Sequence, residues 1–276
     1  MGHLIWYAAK PPARAVRKRL DQYFDGPVEI TTFRSAWGDP EALFVGIKAG
    51  YNQVNHGHLD LGNFELDALG VRWARDLGAD NYNLPGYWSG KRGGKRWSYY
   101  RLNSESHNIC MLGGEGQDPM ARSNFILQRL NGTTPAAIVD LTDAYEGRVN
   151  AAFRGIAMIQ NRRAVLVQDE FDIKVPCEVA WGMTTDATVN IVAASRAVLN
   201  LKSKELVARI LSPAGATFVV ESAEQEPPQR ANKGVRRLVL RLPKAGGNVR
   251  IAVLLSPVWE DGDVARKAEI KPLKSW

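Results

Sequence analysis

The feature that most constrains the fold is a series of short apolar runs, each ended by Gly, Pro or Asn, that starts after Asp25-Gly26-Pro27. Short apolar runs between turn residues are typical of β-strands. The clearest runs cover residues 43–47, 164–168, 189–193, 206–211 and 217–221. Because no helical segments alternate with them, the pattern predicts an all-β fold, a large antiparallel β-sandwich of two sheets, and disfavours a doubly wound sheet.

One pair of runs predicts a hairpin. Residues 238–242 and 249–255 flank Ala245-Gly246-Gly247-Asn248. Two adjacent glycines supply the backbone freedom that a tight turn requires, so the two runs are expected to pair with each other.

The N-terminal part follows a different pattern. Residues 11–24 open with two prolines and place Ala13, Val16, Leu20 and Phe24 at helical spacing among charged side chains. This spacing predicts one short amphipathic helix. The expected organisation is therefore a helical connector over residues 1–27 and a β-sandwich domain over residues 28–276.

Composition adds few constraints. The chain of 276 residues is 45% hydrophobic, enough for a sizeable core, and its net charge of +7 attracts anions such as nucleic acid, a membrane surface or an acidic polysaccharide. No apolar run approaches the ~20 residues that span a bilayer, and residues 1–10 lack the apolar stretch of a signal peptide. The two cysteines, Cys110 and Cys177, are too few for a disulfide framework and are expected to be buried thiols.

Histidine is concentrated in one part of the chain. Of four histidines, His56, His58 and His107 lie in a stretch that is also rich in Asp, Asn, Tyr and Arg. On an extended backbone, the H-x-H spacing would point both imidazoles to one face, where they could serve one site. With Asp76 and His107 they offer the nitrogen and oxygen ligands that Zn²⁺ accepts. The alternative is a pair of hydrogen-bonded histidines in a polar loop.

A longer set of motifs resembles the heparinase II/III-like polysaccharide lyase family, in its C-terminal β-sandwich domain. The resemblance covers nearly the whole chain from about Thr32 onward. The matching segments are FRSAW at 33–37, LFVGIKAG at 43–50, NHGHLDLGNF at 55–64, GVRWARDLG at 70–78, YYR at 99–101, HN at 107–108 and VQDE at 167–170.

This resemblance implies a lyase that cleaves uronic-acid polysaccharides, such as glycosaminoglycans or alginate, by β-elimination. A base removes the C5 proton, the 4-linked oxygen leaves, and a 4,5-unsaturated uronate remains. By motif position, His56 corresponds to the sandwich histidine of the catalytic group, and His58, Asp76 and His107 correspond to zinc ligands. The zinc is expected to brace the loop that carries His56, although three protein ligands would also suit a catalytic zinc.

The resemblance also implies partners. The expected ligand is an acidic polysaccharide rather than nucleic acid or a membrane, and the expected location is periplasmic or secreted. Family members carry an N-terminal helical toroid that supplies a Tyr, a His and usually an Asn. Only the helix predicted at 11–24 precedes the sandwich in this sequence, so the toroid would be supplied from elsewhere. If no toroid exists, the alternative is a zinc-braced carbohydrate-binding or structural module without chemistry of its own.

Three further residues are candidates for contact with the sugar: Asn55, Tyr100 and Arg101. Arginine suits bidentate contact with a carboxylate. The alternative for Tyr100 and Arg101 is a structural role, as a cross-strand aromatic and a surface charge pair. Asp169 and Glu170 lie in an apolar strand context, which favours ion-pair or turn residues over an acid/base pair.

Overall fold

Strands account for nearly all the regular structure in the computed structural model, which describes residues 19–265 and 268–276. The strands are β1 Gln22–Phe24, β2 Val28–Arg34, β3 Phe44–Tyr51, β4 Phe64–Ala68, β5 Val71–Ala74, β6 Cys110–Leu112, β7 Arg122–Arg129, β8 Ala136–Asp140, β9 Val149–Ile159, β10 Ala164–Thr185, β11 Thr188–Ala193, β12 Arg196–Leu201, β13 Lys204–Ser212, β14 Phe218–Ser222, β15 Arg236–Trp259 and β16 Gly262–Asp263. Short 3₁₀ helices cover Lys95–Ser98, Ser104–Ser106, Asp143–Tyr145 and Leu273–Ser275. Within the described ranges no helix is long and apolar enough to cross a membrane.

All strand pairs are antiparallel, and hydrogen bonds link the strands into one continuous path. Its order is β1-β2-β3-β7-β8-β9-β10-β15-β13-β12-β11, and β4, β5, β6, β14 and β16 attach beside it. Buried side chains from distant parts of this path, such as Ile47 on β3, Trp181 on β10 and Leu199 on β12, belong to one core. The sheet therefore folds over a shared apolar interior, and burial of that interior is the main stabilising force. The prediction of an all-β antiparallel sandwich is confirmed.

The five apolar runs singled out in the sequence all form strands, namely parts of β3, β10, β11, β13 and β14. The predicted hairpin, however, is wrong. Both of its runs lie in the single 24-residue strand β15, which pairs with β10 from Arg236 to Leu255. The pairing slips around Cys177, so the strands bend here without reversing. A Cβ on Gly246 would lie 2.8 Å from Cγ of Pro176, so glycine is needed for close strand contact at this bend.

The predicted N-terminal helix falls mostly on residues 1–18, which lie outside the described residues. Its last residues are not helical, because Gln22–Phe24 pairs with β2 as β1. Just before β1, the buried carboxylate of Asp21 accepts hydrogen bonds from both terminal nitrogens of Arg162, at 2.6 Å each. The sandwich therefore begins before Val28, N-terminal to the predicted boundary. This long-range pairing outweighs the local helical spacing.

Two smaller predictions concern single side chains. Cys110 is a buried thiol as expected, whereas Cys177 is only half-buried. Asp169 and Glu170 are ion-pair residues as expected, with Arg154 and Arg250 respectively. The Arg154–Asp169 pair is fully buried, and Nη1 of Arg154 also donates to the carbonyl oxygen of Gly62, 3.0 Å away. The ion pair thereby supports the loop described next.

Candidate metal centre and the adjoining cleft

Four side chains converge beside the β3–β4 connection. One ligand atom from each of His58, Asp60, Asp76 and His107 lies within 4.8 Å of every other. His58 and Asp60 come from the loop between β3 and β4, Asp76 follows β5, and His107 precedes β6. The sheet thus brings together residues that are far apart in the sequence. Imidazole nitrogens and carboxylate oxygens in such a group are suitable ligands for a divalent metal ion.

The loop that carries His107 is held by its neighbour, Asn108. The backbone N–H of Asn108 donates to Oδ1 of Asn63 at 2.9 Å, and its Nδ2 donates to the carbonyl oxygen of Phe64 at 2.7 Å. Its Oδ1 accepts from the backbone N–H of Thr184 on β10 at 2.6 Å. One buried amide therefore ties the His107 loop to both β4 and β10.

Asp76 is oriented in a similar way. Its Oδ2 accepts a hydrogen bond from Nδ2 of Asn63 at 3.0 Å, and its Oδ1 accepts from the backbone N–H of Gly78 at 2.6 Å. Such supporting bonds fix the direction in which a carboxylate presents its remaining lone pairs.

The donor set fits a metal ion by an independent criterion. The imidazole of His107 is fully buried, yet neither of its nitrogens makes a hydrogen bond of acceptable geometry. Nδ1 lies only 2.9 Å from Oδ2 of Asp76, close enough for an ion pair but poorly directed for a hydrogen bond. Buried polar groups normally have partners. An ion bound jointly by a nitrogen of His107 and a carboxylate oxygen of Asp76 would account for their close approach without a hydrogen bond.

The protonation states of His58 and Asp76 agree with this interpretation, whereas His107 would have to lose its proton in order to bind an ion. Burial and the neighbouring His107 lower the pKa of His58 to about 4, so this imidazole is neutral near pH 7. Burial opposes charge on Asp76, but His107, His58 and the Gly78 N–H outweigh it and hold the pKa of the carboxyl well below its usual range. Burial likewise opposes charge on His107, but Asp76 raises the pKa of that imidazole. A charged carboxylate and a neutral imidazole are the forms that bind metal.

Asp60 was not among the predicted ligands. It lies two residues after His58, which was the available signal, and its side chain is buried. The carboxylate forms an ion pair with Lys48 on β3, and the Asp60 N–H donates to Oδ1 of Asn52 at 3.2 Å. The structure therefore adds a carboxylate to the group, already paired with a lysine.

The expectation that His56 and His58 share one face is wrong. The chain makes a turn at this point, since the N–H of Gly57 donates to the carbonyl oxygen of Val54 at 2.8 Å and His56 has a φ of 59°. The period-two rule for strands therefore does not apply. His58 faces His107, with ring centroids 5.2 Å apart, whereas His56 is exposed on the other side of the turn.

His56 instead borders a cleft of about 280 Å³. Its ring centroid lies 5.3 Å from that of Trp88 and 5.6 Å from that of Tyr82. The residues that line the cleft are Asn52, Gln53, Val54, Asn55, His56, Gly57, Trp88, Gly90, Lys91, Arg96 and Trp97. Tyr82 and Trp88 were not among the predicted site residues, although the cluster of aromatic residues in the 82–100 loop was a signal for them.

Of the three candidate sugar-contacting residues, only Asn55 lines this cleft, and it is exposed. Tyr100 is buried and packs with Leu77. The guanidinium of Arg101 donates to Oδ1 of Asn232 and to the carbonyl oxygen of Leu77. The geometry favours structural roles for Tyr100 and Arg101, while a role for Asn55 in binding stays a prediction.

Comparison with known proteins places this geometry in context. The model of the family described as "Heparinase II/III-like, C-terminal" matches residues 34–248. Among solved structures, heparan sulfate lyase HepC from Pedobacter heparinus superimposes with a TM-score of 0.71 at 17% identity, over 91% of this chain and 37% of that chain. The heparinase III BT4657 gene product gives a TM-score of 0.71 at 18% identity, over 88% of this chain and 37% of that one.

A further structure, titled as heparinase III, gives a TM-score of 0.67 at 13% identity, over 90% of this chain and 38% of that chain. The chain thus spans well under half the length of these proteins, and identities this low show the shared fold alone. No curated protein sequence matches the chain. Because the family model covers most of the sandwich, including the His58, Asp76 and His107 positions, the chain belongs to the heparinase II/III-like family, as its C-terminal domain.

Proposed function

We propose that this chain is the sandwich part of a polysaccharide lyase that cleaves uronic-acid polysaccharides by β-elimination. His56 would transfer a proton at the scissile sugar, and His58, Asp76 and His107 would hold a structural Zn²⁺. A periplasmic or secreted location would suit an enzyme with a polymeric substrate of this kind.

The observation that carries the proposal is the conformation of His56. A non-glycine residue with a positive φ, here 59°, costs on the order of 1–3 kcal/mol, and such strain is concentrated at functional sites. The next residue must be glycine, because a Cβ on Gly57 would lie 2.2 Å from the carbonyl oxygen of Asn52. The turn therefore holds an exposed imidazole at the edge of a cleft at the expense of backbone strain.

The chemistry assigns a limited task to this domain. Removal of the C5 proton needs a base, neutralisation of the uronate carboxylate and an acid for the leaving oxygen. Histidine is the side chain that most often serves as general acid or base, and His56 presents one at the cleft. The other groups would come from a helical toroid domain, on the same chain or on another.

The metal would hold the His56 turn in place and would take no part in the reaction itself. When bound, Zn²⁺ would supply a rigid link among His58, Asp76 and His107. His58 is only two residues from His56, so fixing His58 fixes one end of the turn. Arg96 supports the same end of the turn, because its Nη2 donates to the carbonyl oxygen of Gly57 at 2.8 Å. Loss of the metal would therefore displace His56 from its working position.

A second function is supported by the cleft itself. Exposed aromatic rings beside His56 suit the binding of a sugar ring whether or not a bond is broken. A zinc-braced carbohydrate-binding module remains the alternative, and catalytic turnover separates the two.

The test joins this chain to the helical toroid of a family member and follows absorbance of the unsaturated uronate product. We expect turnover by the joined protein and a loss of about 10²–10⁴-fold in His56→Ala, the usual contribution of acid–base catalysis, with zinc content unchanged. The matched control is His3→Ala, in which a histidine outside the described residues is removed. Full turnover by the His56→Ala protein would refute the assigned role.

A further inference from the structure

Next to His56, at the border of the cleft, lies an aromatic surface that the proposed chemistry does not use. Tyr82, Tyr87 and Trp88 contact one another, with ring centroids 5.1–5.4 Å apart in each pair. Tyr87 is buried beneath the group, whereas Tyr82 is 48% exposed and Trp88 is 58% exposed. Trp88 is thus the most exposed aromatic residue in the described part of the chain. Contiguous exposed apolar groups of this kind mark binding surfaces.

The aromatic surface is held rigidly relative to His56. Arg96 is buried, and its Nη1 donates to the carbonyl oxygen of Tyr87 at 2.9 Å while its Nη2 donates to that of Gly57 at 2.8 Å. One guanidinium therefore connects the loop that carries Trp88 to the turn that carries His56. Its Cζ also lies 4.6 Å from the ring centroid of Tyr87, which fixes the base of the group. A prearranged surface loses little conformational freedom when it binds a ligand.

The charge of the cleft indicates what kind of ligand would bind. Its lining includes Lys91 and Arg96 and no carboxylate. Arg96 is occupied by backbone carbonyl groups, but Lys91 is exposed and makes no ion pair within the part of the chain that the structure describes. An apolar ring face and an available ammonium group in the same cleft are together complementary to a pyranose ring that carries an anionic substituent.

We propose that Trp88, with Tyr82 beside it, forms a stacking subsite for a sugar ring adjacent to the one at His56, and that Lys91 pairs with the anionic group of that ring. The assignment rests on the proposed function for its ligand class, an acidic polysaccharide, and adds the residues that determine affinity. The anionic group is a carboxylate or a sulfate, because both suit an exposed ammonium.

Direct binding tests this assignment without requiring catalysis. Titration calorimetry and tryptophan fluorescence of the 276-residue chain would use three oligosaccharides of equal length. These are an alginate oligomer with carboxylates only, a heparin oligomer with carboxylates and sulfates, and a neutral cello-oligomer. We expect both acidic oligomers to bind more tightly than the neutral one. Preference for the heparin oligomer over the alginate oligomer would assign the Lys91 contact to sulfate, and equal binding would assign it to carboxylate.

Single substitutions separate the contribution of ring stacking to the affinity from the contribution of charge. Trp88→Ala should weaken binding of the preferred oligomer at least about tenfold, as truncation of a central aromatic contact does, whereas Trp88→Phe should retain most of it. Lys91→Gln should weaken binding about two- to fivefold and reduce its dependence on salt, in keeping with an exposed ion pair. Trp37→Ala and Lys202→Gln are the matched controls, since each removes the same type of group outside the cleft.

Unchanged affinity in Trp88→Ala, or no binding by the unaltered chain at millimolar oligosaccharide, would overturn the subsite. Neither result would affect the lyase proposal, which is tested by turnover and His56→Ala in the joined protein. Conversely, a joined protein that is inactive but still binds oligosaccharide through Trp88 would refute the proposed lyase activity and would not affect the proposed subsite. Circular dichroism of every variant identifies any loss caused by misfolding.

Discussion

Nδ1 of His107 lies 2.9 Å from Oδ2 of Asp76, and this contact joins the two ends of the long connection between β5 and β6. The imidazole is fully buried, whereas the Asp76 side chain is 22% exposed, so the carboxylate is at the solvent side of the pair. A metal ion reaching the group from solvent would meet Asp76 first. Asp76 thus marks the side from which this pair of side chains is accessible.

Metal content is the first prediction. Protein purified in metal-free buffer and replenished with zinc should contain one Zn²⁺ per chain, measured by elemental analysis, because imidazole and carboxylate ligand atoms converge in this group. His58→Ala and Asp76→Asn should each lower that content strongly. Asp261→Asn, a change in an exposed ion pair with Arg163, is the control and should keep full content. A content near zero in the unaltered protein would exclude the metal site.

Thermal stability should depend on the metal. Because a metal ion bound only by the folded chain adds its binding free energy to folding, zinc at 100 to 1,000 times its dissociation constant should stabilise the chain by about 3–4 kcal/mol. Calorimetric melts with zinc and with a chelator should therefore differ by several degrees. The His58→Ala protein should melt at the same temperature in both conditions. Identical melts of the unaltered chain would contradict this prediction.

Activity of the chain alone should be very low. In the proposed mechanism His56 would supply one proton-transfer group, and the opposing Tyr and the groups that neutralise the carboxylate would come from the toroid. Misplacement of a single catalytic group can lower a rate by about 10²-fold, so absence of several should leave little turnover. Absorbance of the unsaturated product from alginate and heparan sulfate provides the measurement. Robust turnover by the isolated chain that survives His56→Ala would show that other residues perform the chemistry.

The buried ion pair that supports the β3–β4 connection gives a stability prediction. Asp169→Asn should lower the free energy of unfolding by about 3–5 kcal/mol, because it leaves the guanidinium of Arg154 buried without a counter-charge. Asp67→Asn removes a carboxylate from the more exposed pair with Arg72 and should cost less than about 1 kcal/mol. Denaturant unfolding followed by fluorescence compares the two. Equal losses would mean that burial does not determine the strength of the pair.

The outcome for the metal site shows what motif spacing can predict. His58, Asp76 and His107 were selected by resemblance, and the structure places all three together with Asp60. These residues lie in the connections beside β3, β4, β5 and β6, so the pairing of those strands brings them together. The prediction that the H-x-H spacing points both imidazoles to one face was wrong, because the turn at 54–57 depends on the close approach of Gly57 to Asn52 and Val54 rather than on spacing.

The sequence by itself determined the all-β class and most strand positions, because turn residues between apolar runs express local backbone preferences. Only the tertiary structure decided that residues 238–255 form one strand against β10 and that Gln22–Phe24 pairs with β2. It also decided that Trp88 lies against His56. These results depend on long-range packing, for example the close approach of Gly246 to Pro176 and the ion pair between Arg162 and Asp21. Contacts between residues that are distant in the sequence leave no periodic pattern along the chain.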